Sequence, residues 1–481
     1  MSKPYTSSFL GDPSITVDES FRDSISTVDK RGKRVWLYPK KPGGKWFKYR
    51  SIVGYLLLAF LFAGPFLRVG GEPLLLLDII DRRFVIFGQT FWPQDIHLFV
   101  LAFIAGIIFI ALFTVAFGRL FCGWLCPQTV FMELVYRRIE YWIEGDWRQQ
   151  QALNKAPWDT KKFFKKTLKH LIFFGIAFII GNTFLAYLVG SDRLIEIITS
   201  PPSEHLAGFA GMIGFSGAFY GVFAFMREQV CTTICPYGRL QGVLLDRHSM
   251  VIAYDRVRGE GRAKFRKGED RTEAGKGDCI DCRACVNVCP TGIDIRNGTQ
   301  LECINCTACI DACDHMMEAV DLPKGLIRFA SETEIAEGKP WKFTTRMKAY
   351  TVLLTGLIAV ITALIVMRND VEATVLRTSG MLYQTQEDGR ISNLYNYKLV
   401  NKTNREMELQ FKLLNTEGEV RLVGQEVHLD GGELGTGSLF IILDRGAMHG
   451  IKTELQVGVF SQDRLIEKVN TTFMGPIATA S

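Results

Sequence analysis

The sequence predicts a multi-domain membrane protein: a bundle of five membrane-spanning helices, a small cysteine-rich α+β module inserted before the last helix, and a C-terminal β-sandwich. Three observations predict it. Five apolar runs are long enough to cross a bilayer, twelve cysteines crowd between Cys122 and Cys313, and the last 110 or so residues alternate polar and apolar side chains. The 481 residues are 48% hydrophobic with a mean hydropathy of +0.12, high for a soluble protein and low for a pure membrane bundle. A formal charge of +6 is small for this length and argues against nucleic-acid binding.

The N-terminus, "MSKPYTSSFLGDPSITVDES", is polar and has no early apolar segment, so no cleavable secretory signal is expected and the chain should start in the cytoplasm. A span needs about 20 mainly apolar residues to cross about 30 Å of hydrocarbon. Residues 51–69, 96–117, 168–190, 206–226 and 350–367 qualify. Lys and Arg set the orientation. Residues 30–50 carry nine of them and 118–167 another nine, whereas 191–205 has only Arg193. The N-terminal segment and residues 227–349 are therefore expected in the cytoplasm, and an odd number of spans leaves the C-terminus outside.

The second and fourth spans end alike. "RLFCGWLCPQT" (119–129) and "REQVCTTICPYGR" (227–239) each place an arginine, then C-x-x-x-C-P, at the inner end of an apolar run. Proline favours the first position of a helix and pushes its predecessor out of the α region. Cys126 and Cys235 are thus expected at helix N-caps, with Cys122 and Cys231 at the span ends. The positive helix end and the preceding Arg119 and Arg227 predict low-pKa thiols. Paired, the four thiols suit a soft metal such as Cu(I) or reversible disulfide formation.

"CIDCRACVNVCP" (279–290) and "CINCTACIDACD" (303–314) each follow C-x2-C-x2-C-x3-C, the spacing of two-cluster bacterial ferredoxins, in which the fourth cysteine of each run reaches the other cluster. Cys279, Cys282, Cys285 and Cys313 are expected to hold one [4Fe-4S] centre, and Cys303, Cys306, Cys309 and Cys289 the second. A zinc site would need four cysteines per ion without this crossing. Asp314 replaces the proline found at Pro290, which predicts a change in polarity near one cluster.

Residues 368–481 contain strand-like segments such as "YNYKLVN" and "EMELQFKLLN" separated by Asn, Asp and Gly, which suggest a β-sandwich. His97, His170, His205 and His315 read as interfacial or structural, because no C-x-x-C-H haem motif occurs. Met132, Met226, Met316 and Met317 read as packing residues, and Trp92 and Trp124 as an interfacial aromatic belt.

In these motifs and their order, the chain resembles the FixG/RdxA/CcoG family along nearly its whole length. The resemblance rests on the five-span layout, the paired C-x-x-x-C-P motifs, the doubled ferredoxin motif, "CIDACDHMMEAVDLPKGLIRFASE" and the outer β-domain. It implies an immunoglobulin-like C-terminal domain in the periplasm of a bacterial inner-membrane protein. It further implies a cupric reductase that supplies Cu(I) for assembly of cbb-type cytochrome c oxidase, with Cys122, Cys126, Cys231 and Cys235 on copper. Copper ions, a cytoplasmic electron donor and a copper chaperone or oxidase assembly factor are the partners so implied.

The expected layout is 1–50 cytoplasmic, 51–249 membrane domain with four spans, 250–346 two-cluster ferredoxin module, 347–369 fifth span, and 370–481 outer immunoglobulin-like domain. Two other functions compete. One is a quinol-linked electron-transfer subunit like the NapH and NosR ferredoxins, which are not expected to carry this outer domain. The other is a non-catalytic oxidase assembly scaffold.

Overall fold

Apolar length alone dictates the main helices of the computed structural model, which describes residues 27–476 except 30, 80–82, 93–94, 202, 381, 404 and 449. Residues 1–26 of the expected N-terminal segment and 477–481 of the expected outer domain lie outside the described residues. Among the described residues, five helices are long and apolar enough to cross a membrane: Lys45–Phe66, Ile96–Phe117, Thr160–Val189, Leu206–Met226 and Thr345–Val366. Large apolar side chains on them, such as Phe103 and Val352, face outward, as a lipid solvent requires. The third helix begins before its apolar run because the Asp159 carboxylate accepts from the Lys162 backbone N–H at 2.7 Å, an N-cap that admits a lysine-rich first turn.

The chain divides into two compact units, 1–62 with 101–184 and 197–358, and 63–100 with 185–196 and 359–481. In the first, the small module is framed by an antiparallel strand pair, Val251–Tyr254 with Ile327–Ala330, and by the helices Ala284–Asn287 and Ala308–Ala319. Ile252, Tyr254, Ile304, Ile310, Met317 and Ile327 form its apolar core together with the buried cysteines.

In the second unit, nine strands among the described residues build the C-terminal domain: β1 (Val371–Arg377), β2 (Gln384–Thr385), β3 (Ile391–Asn401), β4 (Met407–Leu413), β5 (Glu419–Val423), β6 (Val427–Leu429), β7 (Leu434–Leu443), β8 (Lys452–Ser461) and β9 (Arg464–Met474). One sheet runs β5-β7-β3-β1 with β2 beside β3, and the other runs β6-β4-β8-β9. Alternation along β3 and β8 points Tyr395, Leu399, Leu455 and Val457 inward. The chain has no cysteine here, so apolar burial holds the two layers together.

Between the first two spans, Leu75–Asp78, Arg83–Ile86 and Gln89–Phe91 form a three-stranded antiparallel sheet. Its second turn is Phe87–Gly88, both with positive φ (51° and 75°), the two-residue hairpin whose twist matches the strands. Just beyond it, buried Asp95 accepts from Arg368 at 2.7 Å and from Lys402 at 2.9 Å. Arg368 also donates to the Thr90 carbonyl at 2.8 Å.

Burial pushes the Asp95 carboxyl up, but the Lys402 hydrogen bond and the Arg368 charge outweigh it and hold Asp95 below the usual carboxylate range. A depressed folded value means this contribution is full above the ordinary carboxylate pKa of about 4 and is lost as pH falls through the folded value. Asp95→Asn is expected to destabilise this unit by about 1–3 kcal/mol at neutral pH and to flatten its acid sensitivity, read by limited proteolysis across pH. An unchanged acid profile would refute the assignment.

Candidate metal and electron-transfer site

The two cysteine motifs fold alike because the same positions adopt the same strained backbone. Asp281 and Arg283 flank Cys282 with φ of 49° and 58°, and Asn305 and Thr307 flank Cys306 with φ of 50° and 66°. These left-handed residues curl each C-x2-C-x2-C segment so that its three thiols converge. Cys285 and Cys309 then lie on the helices Ala284–Asn287 and Ala308–Ala319.

Two cysteine-lined cavities result. One is lined by Cys279, Cys282, Cys285 and Cys313 with Tyr254 and Leu326. Cys289, Cys303, Cys306 and Cys309 line the other, with Ile252 and Ile304, and Cys285 reaches it as well. The fourth cysteine of each motif thus sits with the first three of the other.

An all-sulfur donor set in an apolar cavity of this kind fits an iron–sulfur cluster. Burial pushes the Cys285 and Cys303 thiols up to about 12 and Cys306 up to about 11, so a metal must displace protons to bind. Burial chiefly, with nearby charges that include Asp314, pushes the Cys313 thiol up, and the Asp314 carboxylate also accepts from the Gly325 backbone N–H at 2.9 Å, tying the helix to the following turn.

The C-x-x-x-C-P segments match one another closely. Cys126 (φ −64°, ψ 124°) and Cys235 (φ −66°, ψ 115°) are extended N-cap residues of helices that begin at Pro127 and Pro236. Cys122, Cys126, Cys231 and Cys235 come together: Cys122 feels the charges of Cys126 and Cys235, and Cys231 those of Cys126, Cys122 and Cys235. Gly238 makes room for this, since a Cβ there would lie 2.5 Å from the Cys231 carbonyl. The Gln128 side chain joins the two motifs by donating to the Arg227 carbonyl at 3.4 Å.

The expectation of low-pKa thiols is overturned for two of the four. Burial dominates, pushing Cys122 up and Cys231 up to about 12. Arg119 opposes this at both, whereas Arg227 is engaged elsewhere. Its guanidinium is held by Glu140 in a bidentate pair, 2.9 and 2.7 Å, and its own backbone is left-handed at φ 53°. The Arg227 charge belongs to a buried network with Glu133, Arg137, Glu144, Lys169 and Glu228 that sequence reasoning missed.

The two cysteine regions abut. Gly123, between Cys122 and Cys126, faces the Ile304–Asn305 backbone so closely that a Cβ would collide with the Ile304 carbonyl. The Trp124 indole N–H donates to the Asn305 carbonyl at 3.3 Å, and the Arg50 Nε–H to the Gly123 carbonyl at 2.6 Å. Trp124 also meets Trp46 edge-on, ring centroids 6.4 Å apart.

Asp311, between Cys309 and Cys313, accepts from the Trp46 and Phe47 backbone N–H groups at 3.1 and 2.8 Å and so caps the first span. Met132 and Met317 are core residues, and His170 pairs with the Tyr220 hydroxyl at 2.9 Å. Gly123→Ala is expected to cost about 1–3 kcal/mol through overpacking and to loosen the Trp124 contact. A thermal-unfolding midpoint and Trp emission both equal to wild type would contradict this.

Three family models match. One described as a 4Fe-4S dicluster domain covers residues 226–332, a 4Fe-4S binding domain covers 96–149, and an IG-like fold at the C-terminal of FixG covers 361–476. Protein RdxB of Cereibacter sphaeroides is 33% identical over 457 residues, 89% of this chain and 93% of the relative. Protein RdxA of the same organism is 35% identical over 410 residues, 80% and 83%. The nitrogen fixation protein FixG of Rhizobium meliloti is 33% identical over 339 residues, 67% and 63%.

Proposed function

The chain belongs to the FixG/RdxA family, and from that premise we propose a membrane-bound iron–sulfur oxidoreductase that reduces Cu(II) to Cu(I) for assembly of a cbb-type cytochrome c oxidase. Cys279, Cys282, Cys285 and Cys313 hold one [4Fe-4S] cluster, and Cys289, Cys303, Cys306 and Cys309 the other. Clusters held there supply single electrons to an acceptor at the four-thiol site. Cys122, Cys126, Cys231 and Cys235 bind the copper substrate. Thiolate ligands favour Cu(I) over Cu(II), so they make the reduction more favourable and retain the product for handover.

The observation that carries the reading is the direct packing of the Ile304–Asn305 backbone, between two cluster cysteines, on Gly123, between two acceptor cysteines. Cys282 is the exposed cysteine of the chain and offers the approach for an electron donor. Lysine and arginine placement supports a cytoplasmic site, an inner-membrane location and a periplasmic immunoglobulin-like domain.

Cys122→Ser combined with Cys231→Ser is expected to abolish copper binding and cupric reduction while iron stays at about eight per chain. Unchanged copper reduction in that variant would refute the proposal. A second reading has one observation in its favour: the 4Fe-4S model over 96–149 contains only Cys122 and Cys126 of the twelve cysteines. On that reading the four thiols hold iron, and metal analysis would give clearly more than about eight iron per chain.

A further inference from the structure

The buried arginines of the first unit fall into two kinds. Arg137 and Arg227 are matched by carboxylates, Arg137 by Glu133 at 3.0 Å and Glu228 at 3.4 Å, and Arg227 by Glu140 at 2.7 Å. Arg50 and Arg119 are equally enclosed, at 2% and 4% exposure. Yet neither has a carboxylate within ion-pair distance among the described residues. One terminal nitrogen of Arg50 and the Nε of Arg119 are buried without a hydrogen-bond partner. A guanidinium cannot shed its charge inside a protein, and a buried charge requires an anion.

Cysteines lie within reach of both charges. The Arg50 charge acts on Cys306. The Arg119 charge acts on Cys122, Cys231 and Cys303, reaching both the C-x-x-x-C-P site and the ferredoxin module. Arg119 places a terminal nitrogen beside Gly238, 3.5 Å from where a Cβ would stand, on the wall that also holds the Cys231 carbonyl.

We propose that Arg119 is a shared counter-cation, a positioning residue set between the four-thiol site and the adjoining Cys303 centre that lets both carry more negative charge. This rests on the assignment of metal–thiolate centres to both sites. Thiols that bind metal lose their protons, and each added electron deepens the negative charge in a low-dielectric surrounding. A fixed cation offsets that charge, raising the reduction potential on one side and the Cu(I) affinity on the other.

The test uses full-length protein in detergent, with cluster midpoints measured by paramagnetic resonance during redox titration without copper, and Cu(I) affinity measured by chelator competition. Arg119→Gln is expected to lower one cluster midpoint by at least a tenfold change in equilibrium constant, about 59 mV for one electron, and to weaken Cu(I) binding at least tenfold. Arg119→Lys, which keeps the charge, should restore most of both.

Iron content equal to wild type verifies that each variant is folded and loaded. Unchanged midpoints and affinity in Arg119→Gln would overturn the proposal, as would an Arg119→Lys variant as impaired as the glutamine. If wild-type protein binds no Cu(I), the copper assignment falls, and the midpoint shift by itself decides the role of Arg119.

Discussion

Glu140→Ala is expected to cost about 3–5 kcal/mol of stability, the penalty for breaking a buried ion pair and stranding its partner. The Glu140 side chain is 5% exposed and forms a bidentate pair with Arg227. It also lies 3.6 Å from Lys169, which in turn meets Glu144 at 3.0 Å. Removing the carboxylate leaves Arg227 buried beside Trp36, 4.9 Å from the ring centroid, with its left-handed backbone no longer held by the pair. Because Arg227 begins the second C-x-x-x-C-P segment, the damage should spread to the geometry of Cys231 and Cys235.

Glu140→Gln keeps the shape and loses the charge, so it should fall between wild type and Ala. Acid provides an independent check. Burial pushes the Glu140 carboxyl up, but the charges of Arg227 and Lys169 prevail and hold it below the usual glutamate range. Its stabilisation is therefore full above the ordinary glutamate pKa of about 4.3 and fades as pH falls through the lower folded value. Thermal unfolding in detergent should show the gap between wild type and Glu140→Gln narrowing with acid. A gap that stays constant with pH would exclude the pair as its source.

How much of this was readable beforehand depends on how far apart the interacting residues lie. The spans follow from local apolar length, and Cys126 and Cys235 as N-caps follow from the proline next door. The hairpin turn at Phe87–Gly88 was also local, and glycine between two apolar runs was a usable signal for it. Partners separated by long stretches of chain were not legible. Arg227 stands beside the cysteines in sequence, yet its charge goes to Glu140, 87 residues away.

Asp311 sits inside a cysteine motif and caps a helix 264 residues earlier. Trp124 carries the composition of an interfacial residue, and only the fold shows that Asn305 accepts its N–H. Arg50 and Arg119 carry the same lesson with a usable signal attached: a charge beside a membrane-length apolar run is costly and points to a buried partner, though not to which one.

The crossed arrangement of the eight cysteines predicts a pattern of iron loss that no local arrangement reproduces. Cys289 lines the cavity of Cys303, Cys306 and Cys309, and Cys313 lines that of Cys279, Cys282 and Cys285. On the proposed assignment, Cys289→Ser with Cys303→Ser removes two ligands of one centre, so iron should fall from about eight to about four per chain. Cys289→Ser with Cys279→Ser removes one ligand from each, and iron should fall toward zero.

If each motif held its own cluster, the two results would exchange places, because Cys279 and Cys289 share a motif while Cys289 and Cys303 do not. The helix Ala308–Ala319 carries Cys309 to one cavity and Cys313 to the other, and Cys285 borders both. Losses should therefore exceed simple addition, since neighbours that share a support do not act independently. Cys313→Ser alone is the sensitive case: it should release about four iron and also weaken retention of the remainder through that helix, read as faster loss of iron to a chelator. Retention of the remainder at the wild-type rate would show that the two cavities are mechanically separate despite the shared helix.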